Sequence, residues 1–128
     1  MEMTRQFLAA GSKLVLTDLL DRALLPAADI AGEHLVAAVA ADLATEEGCG
    51  IVAGTCAARD LVPDMLVNNA GIGFSGRLDH VPREKWETLM QINMMAPIRL
   101  TNQFLTGMIE RGSGHIVNIS SLAGWIGS

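Results

Sequence analysis

Polar side chains able to bind a ligand or move a proton stand directly after four apolar runs of this sequence. Carboxylates accept hydrogen bonds, amides both donate and accept them, and a hydroxyl can stabilise charge on a carbonyl oxygen. These positions are Asp18, Asp42, Asn68, Asn69, Ser120 and Ser121. If the apolar runs are parallel strands of one sheet, the polar positions share the edge at which open α/β folds bind ligands.

Cysteine and histidine, two other reactive residue types, show no such arrangement. Cys49 and Cys56 are seven residues apart in a predicted helix. Their Cα atoms are therefore roughly 10 Å apart, which is too far for a disulfide. The histidines are isolated, and neither a CxxC nor an HxxxH spacing occurs. The sequence predicts buried or unreactive thiols and no metal site.

Helical signals separate the four apolar runs. The predicted strands cover residues 13–18, 34–41, 65–67 and 115–119, and the predicted helices cover residues 1–10, a segment capped by Thr45, and 83–110. Gly11 and Gly112 stand in the position of a helix C-cap, and Pro82 stands where the long helix begins. The stretch around Pro26 is undecided, and glycines weaken the helix after Thr45. Apolar strands alternating with helices predict a doubly wound parallel sheet of the α/β class.

Composition limits the possible partners and location. The 128 residues, half of them apolar, suffice for one domain. Fourteen acidic against nine basic residues give a net charge of -5, which argues against a nucleic-acid partner. The longest apolar run, Leu35 to Ala41, is far shorter than the roughly 18 residues of a membrane span. With no apolar signal core near the first residue, we expect a cytoplasmic protein without a membrane partner.

Three motifs, in their order and on their elements, resemble the short-chain dehydrogenase/reductase family. They are Asn68-Asn69-Ala70-Gly71 after a strand, Asn93 in the long helix, and Ile119-Ser120-Ser121-Leu122-Ala123-Gly124 after the next strand. The resemblance extends over residues 1–128 and implies a partial NAD(P)-binding Rossmann-like domain. It also implies an oxidoreductase that moves hydride between nicotinamide and a small secondary alcohol or ketone.

The resemblance implies NAD, rather than NADP, as the cofactor. Asp18 is placed to accept hydrogen bonds from the adenosine ribose, and its charge would repel the extra phosphate of NADP. Lys13 and Arg22 are the nearby cations, and neither directly follows the strand, where NADP-preferring members of the family carry one. The alternative for Asp18 is a solvated carboxylate in a turn.

Asp42 resembles the family's acidic residue beside the adenine. Its carboxylate would accept a hydrogen bond from the exocyclic amine, and the backbone of Leu43 would add a contact. A helix-capping aspartate is the alternative, and the two roles are compatible.

Asn68 to Gly71 resemble the family's conserved turn. Its asparagines tie neighbouring strands together, while Ala70 and Gly71 let the backbone approach the cofactor ribose. For Asn69 a purely structural role is the alternative. Asn93 resembles the catalytic asparagine whose carbonyl holds a water in the proton relay, and Pro97 is expected to bend or loosen the helix there.

Ser121, preferred over Ser120 by the family's spacing, would donate a hydrogen bond to the substrate carbonyl oxygen. In the family, a tyrosine about thirteen residues later transfers the proton, and a lysine four residues beyond lowers the pKa of that tyrosine. This sequence contains no tyrosine. We therefore expect an internal part of a larger enzyme that is inactive by itself.

The family's first strand, its glycine-rich loop and its C-terminal strands also have no counterpart in the sequence. The expected sheet is incomplete, with a central gap between the strands at 13–18 and 34–41 and those at 65–67 and 115–119. A non-catalytic Rossmann-like module that interacts or pairs with another chain is the alternative function.

The long predicted helix carries apolar residues on more than one side. Its main stripe is Trp86, Leu89, Met90, Asn93, Met94, Pro97 and Leu100, and its second side carries Met95, Ile98 and Phe104. We expect the main stripe to cover the sheet. The resemblance implies that this helix packs against its mate in a dimer or tetramer of the full-length protein, and we expect the 128-residue chain to associate.

Overall fold

The computed structural model describes residues 2–121 of the chain, apart from the side chain of Leu78. Within that range the strands are β1 (Leu14–Asp18), β2 (Leu35–Ala40), β3 (Met65–Asn68) and β4 (His115–Asn118). The helices are α1 (Glu2–Ala9), α2 (Asp21–Ala31), α3 (Glu46–Ala57), α4 (Arg83–Met90) and α5 (Ala96–Arg111). Short 3-10 turns occupy Gly32–His34 and Leu78–His80, and a π-helical turn, Gln91–Met95, joins α4 to α5. Every predicted strand is present.

The described strands form two separate parallel pairs. β1 pairs with β2, which brings Asp18 opposite Ala40, and β3 pairs with β4, which brings Asn68 opposite Asn118. Within residues 2–121, no strand hydrogen-bonds the first pair to the second. This arrangement confirms an incomplete, parallel Rossmann-like sheet.

Helices α3 and α5 supply much of the core. Cys49, Val52 and Cys56 are buried on α3 at steps of three and four residues, which places them on one side of that helix. The buried residues of α5 follow one another at four-residue steps: Ala96, Leu100, Phe104 and Met108. Half-buried Leu66 of β3 and Ile116 of β4 pack against the same cluster, which also contains Val39 of β2. The core therefore contacts both strand pairs.

Phe104 corrects one expectation for the long helix. It was expected on the second side, yet it is only 7% exposed, because it continues the row formed by Leu100 and Met108. Met95 and Ile98 do lie exposed on the other side. The expectation that the main stripe covers the sheet is wrong for Trp86, Met90 and Met94, which are exposed, whereas Leu100 is buried. A helix with two apolar sides does not reveal in sequence which of them faces the core.

Local signals explain where α2 and α3 begin and end. The undecided stretch around Pro26 is helical, and α2 ends at Ala31, just before Gly32, whose φ of +51° favours glycine. Thr45 caps α3 as predicted, because its Oγ1 accepts a hydrogen bond of 2.9 Å from the backbone N–H of Gly48. No helix among residues 2–121 is both long and apolar enough to cross a membrane.

Candidate functional site

The first two strands bring two carboxylates to the same edge of the sheet. Asp18 is the last residue of β1, and its backbone oxygen accepts a 2.9 Å hydrogen bond from the N–H of Ala41, just beyond β2. Strand pairing thus continues to the residue before Asp42. The Asp18 side chain is exposed, and among the described residues no hydrogen bond or ion pair occupies its carboxylate. That carboxylate is available to an external donor.

Asp42 organises the turn between β2 and α3. Its Oδ1 accepts a 2.9 Å hydrogen bond from the backbone N–H of Ala44, and its backbone oxygen accepts one of 2.8 Å from the hydroxyl of Thr45. Because Thr45 itself caps α3, Asp42 is not the N-cap of that helix. Gly48 lies so close that a methyl group there would overlap the Asp42 carbonyl oxygen. The Asp42 side chain is exposed beside this tightly packed turn.

The side chain of Leu43 belongs to the core, so only its backbone is considered for ligand contact. Its side chain is 8% exposed and belongs to the core, and its carbonyl accepts a hydrogen bond from the thiol of Cys49 at 3.6 Å. Only the backbone of Leu43 is therefore suited to a ligand contact.

The third and fourth strands are joined by an asparagine pair. Nδ2 of Asn68 donates a 2.8 Å hydrogen bond to Oδ1 of Asn118, and the N–H of Ile119 donates to the backbone oxygen of Asn68 at 2.9 Å. Asn68 is 7% exposed, and its Oδ1 is buried with no hydrogen-bond partner among the described residues. An asparagine side chain thus ties the turn after β3 to β4. No pattern in the sequence identifies Asn118 as the partner of Asn68.

Asn93 secures the segment that follows the turn at 68–71. Its Oδ1 accepts a 2.9 Å hydrogen bond from the N–H of Ile72, and its Nδ2 donates one of 2.8 Å to the Ile72 carbonyl. A methyl group on Gly71 would lie 3.5 Å from Asn93 Oδ1, which is ordinary contact. The described protein atoms therefore do not require a glycine at position 71.

The helix changes its geometry at Asn93. Residues Gln91–Met95 form a π-helical turn, in which the N–H of Ala96 donates to the Gln91 carbonyl. In a regular α-helix the N–H of residue 97 would bond the Asn93 carbonyl, and Pro97 has no N–H. The expected loosening of the helix therefore takes the form of a π turn, a feature frequent at functional sites.

Ser120 and Ser121 follow β4 and are exposed at the same end of the sheet as Asn68. Residues Leu122, Ala123 and Gly124, the rest of the predicted motif, lie outside the described residues. The pair β1 and β2 thus leads into two carboxylates, and the pair β3 and β4 leads into an amide and two hydroxyl groups.

Two adjoining cavities lie between the segment after Gly71 and helix α4. The larger has a volume of about 390 Å³ and is lined by Ile72, Gly73, Phe74, Glu84, Lys85 and Thr88. A second, of about 190 Å³, shares Phe74 and Lys85. These lining residues are not among the site residues predicted from the sequence. The one available signal was the pair of apolar residues, Ile72 and Phe74, in a glycine-containing segment.

The two thiols of α3 lie in the core rather than at the edge of the sheet that carries the candidate site residues. Cys49 and Cys56 are buried and free, as predicted, and their burial raises the pKa of both thiols. Both remain protonated at neutral pH and serve as small apolar groups of the core.

The whole sequence, residues 1–128, matches the family model described as short chain dehydrogenase. The chain belongs to this family. The probable oxidoreductase EphD of Mycobacterium tuberculosis is 34% identical, over 97% of this short chain dehydrogenase and 22% of EphD. The NADP-dependent 3-hydroxy acid dehydrogenase YdfG of Escherichia coli is 32% identical, over 95% and 49% of the two chains.

Solved structures of the family have the same fold. A metagenomic short-chain oxidoreductase in complex with NADP superposes with a TM-score of 0.85 and is 35% identical, over 95% of this chain and 57% of that one. This short chain dehydrogenase spans at most about half the length of the two curated relatives above.

Proposed function

We propose that this chain forms the adenosine-binding part and one side of the catalytic site of a nicotinamide-dependent oxidoreductase. The observation that carries the proposal is the position of Asn93, whose side chain holds Ile72 directly after the 68–71 turn. The reaction moves hydride between the nicotinamide and a secondary alcohol or ketone. YdfG, whose name describes a hydroxy acid dehydrogenase, supports this reaction class.

The residues of the sheet edge fit the adenosine half of such a cofactor. The exposed carboxylate of Asp18 would accept hydrogen bonds from the ribose hydroxyls. Asp42 would accept from the adenine amine, and the Leu43 backbone would add a contact. The turn at Asn68, Ala70 and Gly71 would admit the second ribose, because Ala70 and Gly71 are exposed and carry no side chain larger than a methyl group. When bound, the nicotinamide supplies or accepts the hydride.

The catalytic roles in the proposal belong to Ser121 and Asn93. The Ser121 hydroxyl would donate to the substrate carbonyl oxygen and stabilise the charge that develops there. The Asn93 carbonyl, which Pro97 cannot bond, would accept a hydrogen bond from a water of the proton relay. The open depression of about 390 Å³ beside Ile72 could form one side of a site for a small alcohol or carbonyl compound.

The proposal includes a preference for NAD over NADP. A carboxylate at position 18 would repel the 2′-phosphate of NADP, whereas it binds the free ribose hydroxyls of NAD. YdfG is NADP-dependent by name, and the metagenomic enzyme is described in complex with NADP. The proposed preference for NAD would therefore distinguish this chain from both relatives.

Adenosine fragments test the preference on the 128-residue chain. Calorimetry should show adenosine 5′-monophosphate binding about tenfold more tightly than its 2′-phosphorylated form. Asp18→Ala should narrow this ratio, whereas Asp29→Ala, which removes an exposed carboxylate from α2, should leave it unchanged. Equal affinities in the unsubstituted chain would show that Asp18 has been assigned wrongly. Micromolar affinity for NAD would contradict the weak binding expected without a glycine-rich loop.

Turnover requires a proton donor that residues 1–128 do not contain, because the sequence has no tyrosine. We therefore expect no NAD-dependent oxidation of secondary alcohols by the purified chain, measured by absorbance of the reduced cofactor. Detectable hydride transfer that Ser121→Ala abolishes would refute this expectation.

Association with a second copy is also part of the proposal. Met94, Ile98 and Ile109 are 51%, 57% and 67% exposed along the helix that includes α5, and burial of such residues is favourable. Sedimentation at tens of micromolar should show a dimer or larger species. Ile98→Lys should weaken association, whereas Ile51→Lys, at an exposed position of α3, should not. A monodisperse monomer would overturn this part, and association without nucleotide binding would instead favour a non-catalytic pairing module.

A further inference from the structure

Asn118, the last residue of β4, bonds the neighbouring strand β3 through its side chain. It is paired in register with Asn68, and its Oδ1 accepts the 2.8 Å hydrogen bond from Asn68 Nδ2 across 50 residues of sequence. Among the described residues, the side chains of Asn68 and Asn118 make no other hydrogen bond. The rotamer of Asn68 therefore depends on Asn118.

The bond lies between two segments of the proposed site. Asn68 begins the turn whose members Ala70 and Gly71 would admit the cofactor ribose, and Asn118 stands three residues before Ser121. Burial strengthens the effect of this bond: Asn68 is 7% exposed, and its Oδ1 already has no hydrogen-bond partner in the described residues. Without Asn118, both polar atoms of a buried amide would be unpaired, which favours displacement of the turn.

We infer that Asn118 is a positioning residue, which sets the place of the 68–71 turn relative to the strand that carries Ser121. This inference rests on the proposed function, because it assigns Asn118 to the nucleotide site. Asn118 itself is exposed, so a charged acceptor at this position remains in contact with water. That exposure makes a conservative exchange possible.

The experiment compares three variants of the 128-residue chain by calorimetry with adenosine 5′-monophosphate and by urea unfolding. Asn118→Leu removes the acceptor at similar volume and should weaken nucleotide binding about tenfold, the effect of one buried hydrogen bond. Asn118→Asp keeps an oxygen that accepts from Asn68 Nδ2 and should stay within about threefold of the unsubstituted chain. Ile116→Val, on the same strand and half-buried, should lower stability without changing affinity.

Nuclear magnetic resonance gives a second measurement that needs no nucleotide. The side-chain amide protons of Asn68 should exchange slowly in the unsubstituted chain and in Asn118→Asp, and rapidly in Asn118→Leu. The backbone signals of Ala70 and Ser121 should both move in Asn118→Leu and stay in place in Ile116→Val.

Three results would overturn the inference. They are unchanged affinity in Asn118→Leu, an equal loss in Asn118→Asp, and an equal loss in Ile116→Val. If the unsubstituted chain binds no nucleotide, the proposed function fails. The Ala70 and Ser121 signals then decide separately whether Asn118 positions the turn, and unmoved signals would reject it.

Discussion

The two strand pairs hold their candidate functional residues by different means. At the end of β1 and β2 the joints are largely backbone bonds, such as the one from Ala41 N–H to the Asp18 carbonyl, and the side chain of Asp18 stays uncommitted. The end of β3 and β4 has the equivalent backbone bond, from Ile119 N–H to the Asn68 carbonyl, and adds side-chain amide bonds that join Asn68 to Asn118 and Asn93 to Ile72. Substitution of Asp18 should therefore change nucleotide binding alone. Substitution of Asn68 or Asn93 should change nucleotide binding and local structure together.

Of the substitutions considered, Gly48→Ala should lower stability most, because it disrupts the turn that follows β2. The added methyl would overlap the Asp42 carbonyl, and neither backbone can move away easily. We expect a loss of about 3 kcal/mol in the free energy of unfolding, measured with urea. Binding of adenosine 5′-monophosphate should weaken as well, since the Asp42 turn would be displaced.

Gly50→Ala is the matched control in the same helix. Among the described residues, a methyl group there would meet no atom within 4 Å beyond its chain neighbours and the backbone of its own helix, so the change should stabilise the chain by about 0.5 kcal/mol through helix propensity. Equal destabilisation by both substitutions would mean that the Asp42 contact is unimportant.

Arg111→Ala should have the next largest effect, at the opposite end of the amide-held pair. The guanidinium of Arg111 donates to the carbonyls of Val62 and Pro63 at 2.7 and 2.9 Å, just before β3. Losing these charge-assisted bonds at a partly exposed site should cost about 1.5 kcal/mol in thermal or urea unfolding. Asp64→Asn should cost less than about 0.5 kcal/mol, because that carboxylate is 96% exposed. A larger effect of Asp64→Asn would show that the ion pair, rather than the carbonyl bonds, fixes the strand.

Asn93→Ala tests the second amide joint. It removes both hydrogen bonds to Ile72 at an exposed site and should cost about 1 kcal/mol. The sharper measurement is hydrogen exchange of the Ile72 amide, which should become fast while the amides of α5 keep their protection. Asn69→Ala, at an exposed neighbouring position, should leave Ile72 protected. Slow exchange of the Ile72 amide in Asn93→Ala would mean that a group other than the Asn93 side chain protects it.

The smallest predicted effect is a dependence of stability on pH. Burial raises the pKa of the Cys49 and Cys56 thiols, so the unfolded chain loses these protons first as pH rises. Their contribution to stability is complete below the ordinary thiol pKa of about 8.5 and is lost as pH rises through the native pKa values. The free energy of unfolding should decline above this point, and Cys49→Ala combined with Cys56→Ala should flatten the decline. A decline of equal slope without the thiols would assign it to other groups.

Local patterns determined most elements of this protein, apart from α2, which the stretch around Pro26 left undecided. The four strands, the Thr45 cap and the C-cap at Gly112 follow from apolar runs and from residues that act on their own turn. The position of polar residues at strand ends followed from the same alternation, because parallel strands all end at one edge. The family motifs then supplied the roles expected of Asp18 and Ser121.

Tertiary structure decided what those elements bond and bury. Asn68 meets Asn118 across 50 residues, and Asn93 meets Ile72 across 21, and no periodicity encodes such pairs. The burial of Phe104 was likewise settled by which side of α5 meets the core. A sequence specifies the faces of each helix and strand, whereas partner choice depends on how all the elements pack at once.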